Sequence, residues 1–283
     1  MKIGNAEIFV LSDGMTKSDG GGFFGLVPRV LWEKVHPADE LNRVPWALRS
    51  LLIIADGKKI LVDTGYGDKL TPKQKKIFAM EGQGDRRLLG DLERVGFSAD
   101  EIDIVVNTHL HADHCGGNTV FDGDRVVATF PNARYIVQRR ELAQAMFPNE
   151  RTRGTYFKEN FVPLLESGAM EIVDGDYQIT PSVRTMVTRG HTPGHQVVVV
   201  ESGGEAAIFL ADACSWAVHM ERLAWVPAFD IEPMESIQTK KRLRDWALRH
   251  NALLIFQHDP TTIFGRVRPG EKPGRFVVEK LSP

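Results

Sequence analysis

Thr108-His109-Leu110-His111-Ala112-Asp113-His114-Cys115-Gly116-Gly117 places three imidazoles and one carboxylate within six positions. Just ahead of it runs Glu101-Ile102-Asp103-Ile104-Val105-Val106, an apolar run bounded by polar residues that reads as a buried strand. The histidines therefore sit at a strand's carboxyl end, where the active sites of open α/β sheets gather. Imidazole and carboxylate are ordinary ligands for zinc and similar divalent ions. A structural zinc site more often recruits thiolates and closes at four ligands, and only Cys115 is nearby. In a tight loop His109 and His111 can aim at one point while Asp113 and His114 aim at a second, about 3.5 Å away as in two-metal sites. A lone histidine on a loop is usually just solvated. This many polar ligands packed together is costly unless something compensates them, and a cation is the natural compensator.

The pattern His-X-His-X-Asp-His resembles the metal motif of the metallo-β-lactamase superfamily, and the later ligands of that family have counterparts here. His191, in Gly190-His191-Thr192-Pro193-Gly194-His195, matches the third ligand of the first metal. Asp212, closing Ala206-Ala207-Ile208-Phe209-Leu210-Ala211-Asp212, matches the bridging carboxylate, and His258, after Leu253-Leu254-Ile255-Phe256-Gln257, matches the last ligand of the second metal. The resemblance extends from Leu61-Val62-Asp63-Thr64-Gly65 to His258. It implies two divalent metal ions, zinc first, with iron, manganese or cobalt as alternatives. His109, His111 and His191 would hold one, Asp113, His114 and His258 the other, and Asp212 both. Asp63 would orient the first motif by accepting hydrogen bonds, since metal-bound histidine usually needs such a partner; a plain turn-starting aspartate before Thr-Gly is the alternative. His195 is assigned to a supporting hydrogen bond rather than to a metal. His36, His219 and His250 match no motif and are expected at the surface or in ordinary polar packing.

Two metals would lower the pKa of a bridging water, so that a hydroxide attacks a carbonyl polarised by one of them. Asp113 is expected to have a catalytic role as well, holding the proton and delivering it to the leaving alkoxide. The glycine after the metal loop, the short spacing from His191 to Asp212 and the lack of a long nuclease-type insertion resemble the lactonase branch, which includes N-acyl-homoserine lactonases and related arylesterase and organophosphate hydrolases. The expected function is thus hydrolysis of lactones or carboxylic esters, with side activity on phosphotriesters. That branch often has tyrosine three positions after this aspartate, whereas Asp212-Ala213-Cys214-Ser215-Trp216 has Ser215 there. Ser215, Trp216, Phe147, Trp225 and Phe229 are candidates for a substrate pocket with apolar walls, or else for core packing. Two other readings stay open. One is a glyoxalase-II-like thioesterase, for which Arg266, Arg268 and Lys272 could supply a basic glutathione pocket; the other is an iron-dependent redox enzyme on the same fold.

The 283 residues, with 42% hydrophobic and 25% charged side chains, are enough for a large core in one α/β domain spanning 1–283, read as a four-layer αβ/βα sandwich. A net charge of −2 and the lack of a basic run interleaved with aromatics argue against nucleic acid as partner. No stretch approaches the ~20 apolar residues of a membrane helix, and the amino terminus lacks a leader pattern. With two cysteines and no disulfide framework, the expected compartment is the cytoplasm. Residues 15–49, with Gly20-Gly21-Gly22-Phe23-Phe24, Trp32 and Trp46, form a candidate lid or homodimer contact, or a simple cover for the sandwich. Asp56-Gly57 between Ser50–Ile54 and Lys59–Asp63 predicts a hairpin. Strands are further expected at 6–11, 133–137, 171–173, 183–188, 196–201 and 206–210. Helices are expected at 72–80, 85–95, 140–147, 157–166 and 236–250. Ser98-X-X-Glu101 predicts a capping box.

Overall fold

A computed structural model describes residues 1–80, 83–84 and 87–282. Two seven-stranded sheets carry the architecture. In spatial order the first holds Lys2–Ile3, Ala6–Asp19, Arg43–Ala55, Lys58–Val62, Ile104–Val106, Arg134–Gln138 and Met170–Val173. The second holds Tyr177–Thr180, Val183–Val187, Gln196–Ser202, Glu205–Phe209, Leu253–Ile255, Phe264–Pro269 and Phe276–Leu281.

Successive side chains of a strand point to opposite faces, and here both faces are apolar. Leu51, Ile53, Ile60, Val62, Ile104 and Val106 meet Val198, Phe209 and Ile255 of the second sheet in the central core. Their neighbours Leu52, Leu61 and Val105 face outward onto Leu88, Leu92, Leu142 and Leu164. On the far side Val197, Val199, Ile208 and Leu254 pack against Leu243, Trp246 and Ala247 of the helix Pro233–His250. The result is the expected four-layer sandwich, with helices outside two facing sheets.

Strand direction places the site. Lys58–Val62 and Ile104–Val106 run parallel, so Asp63 and the histidine loop leave the same edge of the first sheet. Glu205–Phe209 and Leu253–Ile255 are also parallel, so Asp212 and His258 leave one edge of the second.

The hairpin forms as expected, with Asp56 at φ 52° and Gly57 at φ 73°, both in the left-handed region that a two-residue turn of this kind requires. The capping box of Ser98 and Glu101 is present. Other segments depart from expectation. The first strand continues to Asp19 because an irregularity between Ser12 and Met15 absorbs Asp13-Gly14, which otherwise reads as a turn. The expected helix at 72–80 is Pro72–Ile77, and the one at 85–95 is Arg87–Arg94, its Asp85 lying outside the described residues. The helix expected at 157–166 is split into Lys158–Asn160 and Val162–Glu166, Pro163 being tolerated in a first turn. Tyr177–Thr180 and the two carboxyl-terminal strands were not expected.

Within 15–49, both ends belong to long paired strands and the middle carries two short helices, Gly20–Phe24 and Arg29–Trp32. Phe23, Phe24, Trp32 and Trp46 are buried together with Tyr66, Trp216 and Trp225, while Leu26, Val30, Leu31 and Leu41 are exposed. Cys115 and Cys214 are free and buried. Among the described residues, no helix is long and apolar enough to cross a membrane.

Candidate metal centre

His109, His111, His114, His191, His195 and His258 are all buried at this edge. They and the nearby carboxylates form two groups. His109, His111 and His191 make the first; Asp113, His114, Asp212 and His258 make the second; in each, the ligand atoms lie within 4.8 Å of one another. His109 Nε2 and His191 Nε2 approach His111 Nδ1 at 3.0 and 3.1 Å. Four ligands arranged tetrahedrally at zinc–nitrogen distances would stand about 3.3 Å apart, so this spacing suits an ion at their centre.

The outward-facing nitrogens fix which atoms offer lone pairs. His114 Nδ1 donates to Asp63 Oδ2 at 2.8 Å, and His258 Nδ1 donates to the Ala47 carbonyl at 2.7 Å. That leaves Nε2 of each imidazole as an acceptor, yet these two Nε2 atoms face each other at 3.2 Å. Two lone pairs so placed repel unless a proton or a cation lies beside them. His191 Nδ1 likewise donates to Asp230 Oδ1 at 2.9 Å, which turns Nε2 inward. His109 Nδ1 donates to Thr108 Oγ1 at 3.2 Å, whose hydroxyl donates to Asp63 Oδ2 at 2.8 Å. The donor set therefore fits divalent metal.

Charge in the bare protein makes the same point. Burial, then the neighbouring imidazoles, hold His109 well below its ordinary pKa and bring His111 down to about 3. Burial opposes a charge on His114 and His191 too. There the carboxylates prevail: Asp113, Asp63 and Asp212 raise His114 well above the usual range, and Asp212 and Asp230 raise His191. In each group the carboxylates thus favour positive charge on one imidazole, a charge that a bound cation would supply instead.

Asp212 reaches both groups. Its Oδ2 lies 3.1 Å from His191 Nε2 and 3.3 Å from His114 Nε2, and its Oδ1 lies 3.2 Å from His258 Nε2. Ala211, at φ 44°, turns the chain sharply just before it. Asp113 Oδ2 lies 3.2 Å from His114 Nε2. His195 accepts from the Asp212 backbone N–H at Nε2, 3.2 Å, and donates from Nδ1 to Thr188 Oγ1, 2.8 Å, so it holds Asp212 without presenting a free lone pair. Asp63 receives both the N–H and the hydroxyl of Thr108.

The five pocket candidates separate. Ser215 Oγ donates to Asp212 Oδ1 at 2.8 Å. Trp216 is fully buried, stacked on Phe23 with ring centroids 4.5 Å apart, and presents no wall to solvent. Trp225 is also buried. Phe229 is partly exposed with its edge on Phe23, and Phe147 is 83% exposed, too free of neighbours to be core. Of the unassigned histidines, His36 and His219 pack around Trp216, and His250 Nδ1 donates to the Trp246 carbonyl.

Two groups were missed in the sequence. Asp230 orients His191 from the loop before the long helix. Glu141, fully buried, accepts from Leu110 N, Tyr156 Oη and Thr192 Oγ1 and so ties the two loops of the first group together. Asp230 has no local signal beyond an acidic residue between Phe229 and Ile231, and Glu141, just after Arg139-Arg140, reads as an ordinary surface charge.

Comparison with known proteins follows the same lines. Residues 45–214 match the family model described as the metallo-beta-lactamase superfamily. The N-acyl homoserine lactonase AiiA of Bacillus thuringiensis subsp. kurstaki is 30% identical over 232 residues, covering 79% of this chain and 84% of that protein. The chain belongs to the metallo-beta-lactamase superfamily. It is an enzyme of the hydrolase class, with homologues named as N-acyl homoserine lactonases. A solved structure described as a probable metal-dependent hydrolase from Staphylococcus aureus superimposes with a TM-score of 0.89 at 29% identity, over 100% of this chain and 99% of that one. AidC, a dizinc quorum-quenching lactonase, shares the fold with a TM-score of 0.81 at 22% identity, over 100% and 96%.

Proposed function

We propose that this superfamily member is a dinuclear metal-dependent hydrolase that opens lactones or cleaves carboxylic esters, with side activity on phosphotriesters. The observation that carries the reading is the Asp212 carboxylate, one oxygen of which lies within 3.3 Å of an imidazole from each ligand group. In this reading His109, His111 and His191 hold one ion, Asp113, His114 and His258 the other, and Asp212 is common to both. Such ions supply an ionised water near neutral pH and a Lewis acid for a carbonyl oxygen.

The chain's own groups do the rest. Ser215 and His195 hold Asp212 from its side chain and its backbone, which fixes the separation of the two groups. Asp113 is the proton carrier to the leaving alkoxide: it is the ligand carboxylate that is not shared. Phe229, exposed with its edge on Phe23 beside Trp216, is an apolar contact that suits substrates with hydrophobic groups. The thioesterase alternative loses support, because Arg268 is engaged by Glu279 and Asn251, and Arg266 by the Asn251 carbonyl.

The test is a substrate panel on protein of measured metal content, led by N-acyl homoserine lactones, the class named for the relatives, followed by aryl esters, thioesters and phosphotriesters. Oxygen uptake is recorded alongside. Lactone or ester turnover without oxygen consumption is expected. Oxygen consumption, or turnover confined to thioesters, overturns the proposal.

A further inference from the structure

Three of the four tyrosines have a partner for the hydroxyl. Tyr135 Oη donates to the Asn118 carbonyl at 3.1 Å, Tyr156 Oη to Glu141 at 3.1 Å and Tyr177 Oη to Glu171 at 2.5 Å. Tyr66 is as buried as Tyr156, yet among the described residues its hydroxyl makes no hydrogen bond. A phenol oxygen that is not fully buried and has no protein partner is free to donate to whatever binds beside it.

Its placement is tightly determined. Tyr66 N donates to Asp13 Oδ2 at 2.8 Å, between Gly65 and Gly67, both at positive φ. Its carbonyl lies so close to Gly116 that a Cβ there would come within 2.1 Å, so the segment is keyed to the histidine loop just after His114. The ring stacks on Phe78, centroids 4.9 Å apart, and meets the edge of Trp46 at 6.5 Å. Trp46 in turn packs edge-on against His258 at 4.7 Å, so the phenol stands one ring away from a metal-site imidazole. The Ser215 hydroxyl, three positions after Asp212, is already committed to that carboxylate.

We propose that the Tyr66 hydroxyl is the hydrogen-bond donor for the substrate's carbonyl oxygen as negative charge develops on it, an assignment that rests on the hydrolytic reading above. The phenol remains a donor throughout the physiological range. Burial first, and then the negative charges of Asp113 and Asp212, raise its pKa well above the ordinary value. A neutral O–H beside an electrophilic carbonyl stabilises the tetrahedral oxyanion more than the planar ester, which lowers the barrier and not just the binding energy.

The test compares wild type with Tyr66→Phe, which keeps the ring and removes only the hydroxyl. Both proteins are loaded with zinc, assayed for metal content and melting temperature, and titrated calorimetrically with butylphosphonate, a tetrahedral oxyanion probe. Metal content and melting are expected to be unchanged, phosphonate affinity to fall at least about tenfold, and kcat on the best panel substrate to fall about 10²–10³-fold with little change in KM. Equal phosphonate affinity in the two proteins overturns the assignment, even where wild type hydrolyses lactones. Weaker phosphonate binding by the variant, with no hydrolysis of any panel member by wild type, leaves the donor in place and removes the hydrolytic reading instead.

Discussion

The two ligand groups solve the same problem with different chemistry. The first consists of three imidazoles, His109, His111 and His191, and borrows a carboxylate from Asp212. The second owns two carboxylates and two imidazoles, and its His114 is backed by a third carboxylate, Asp63. Neutral nitrogen ligands leave most of a cation's charge uncompensated, whereas two carboxylates cancel it. In the proposed dinuclear reading, an ion in the first group would be the stronger Lewis acid, and the second group would be the better place to hold the proton bound for the leaving group. The contrast teaches that the asymmetry of the centre lies first in its ligands: every imidazole of both groups is buried, and only the carboxylates Asp113 and Asp212 are partly open to solvent.

The largest effect should come from the residue the groups share. Asp212→Ala is expected to lower affinity for both ions and cut kcat/KM by at least about 10³-fold, as loss of several kcal/mol of electrostatic stabilisation implies. Metal titration with a chromophoric chelator should show two weakened sites; one weakened site would mean that the carboxylate belongs to one group only. Next is His258→Ala, which should weaken the second ion while leaving the first within about tenfold of wild type, since its only ligand contacts are in that group. Equal loss of both ions in the same titration would dissolve the distinction between the groups.

Asp230→Asn sharpens the comparison from outside. Asp230 touches His191 alone of the proposed ligands, so first-ion affinity should fall about 10–100-fold and the second should not move. The smallest effect concerns Asp13, a buried carboxylate that faces an arginine instead of imidazoles. Burial raises its pKa to about 6, against the pull of Arg87 and the amides of Tyr66 and Gly67. The folded state then holds a proton between about pH 4 and 6 that the unfolded chain has lost, so this group's contribution to stability declines as pH rises through that window. Asp13→Asn should therefore gain stability relative to wild type from pH 4 to pH 7, by at most about 3 kcal/mol, as read from denaturant curves at each pH. A constant difference across the range would show that Asp13 is ionised throughout.

Much of this could be read from the chain because the chemistry is local. Six positions hold four of the ligand-type residues, Asp56-Gly57 can hardly be anything but a turn, and Ser98 and Glu101 cap each other within one helical turn. What escaped was set by distance. Asp230 meets His191 only after the chain has passed through two strands, Gln196–Ser202 and Glu205–Phe209, and the helix Ala217–Glu221. Glu141 lies in an amphipathic helix where a buried carboxylate breaks the pattern. Trp216 sits beside the divergent Ser215 and so invited a functional role, but its neighbours Phe23 and His219 bury it. The carboxyl-terminal strands went unseen because Arg266, Arg268, Glu279 and Lys280 alternate with apolar residues too weakly to mark them.

The opposed sheets have one further consequence. His109, His111, Asp113 and His114 hang from the first sheet, while His191, Asp212 and His258 hang from the second. An ion bound to either group therefore joins segments far apart in the chain, as a disulfide would, but reversibly. Ions held this way would be removable crosslinks between the halves of the molecule, each adding to the folded state in proportion to the logarithm of its free concentration over its dissociation constant. A cell short of the metal would lose more than turnover: it would hold a chain whose halves part more often, exposed to proteases at a rate set by supply of the ion.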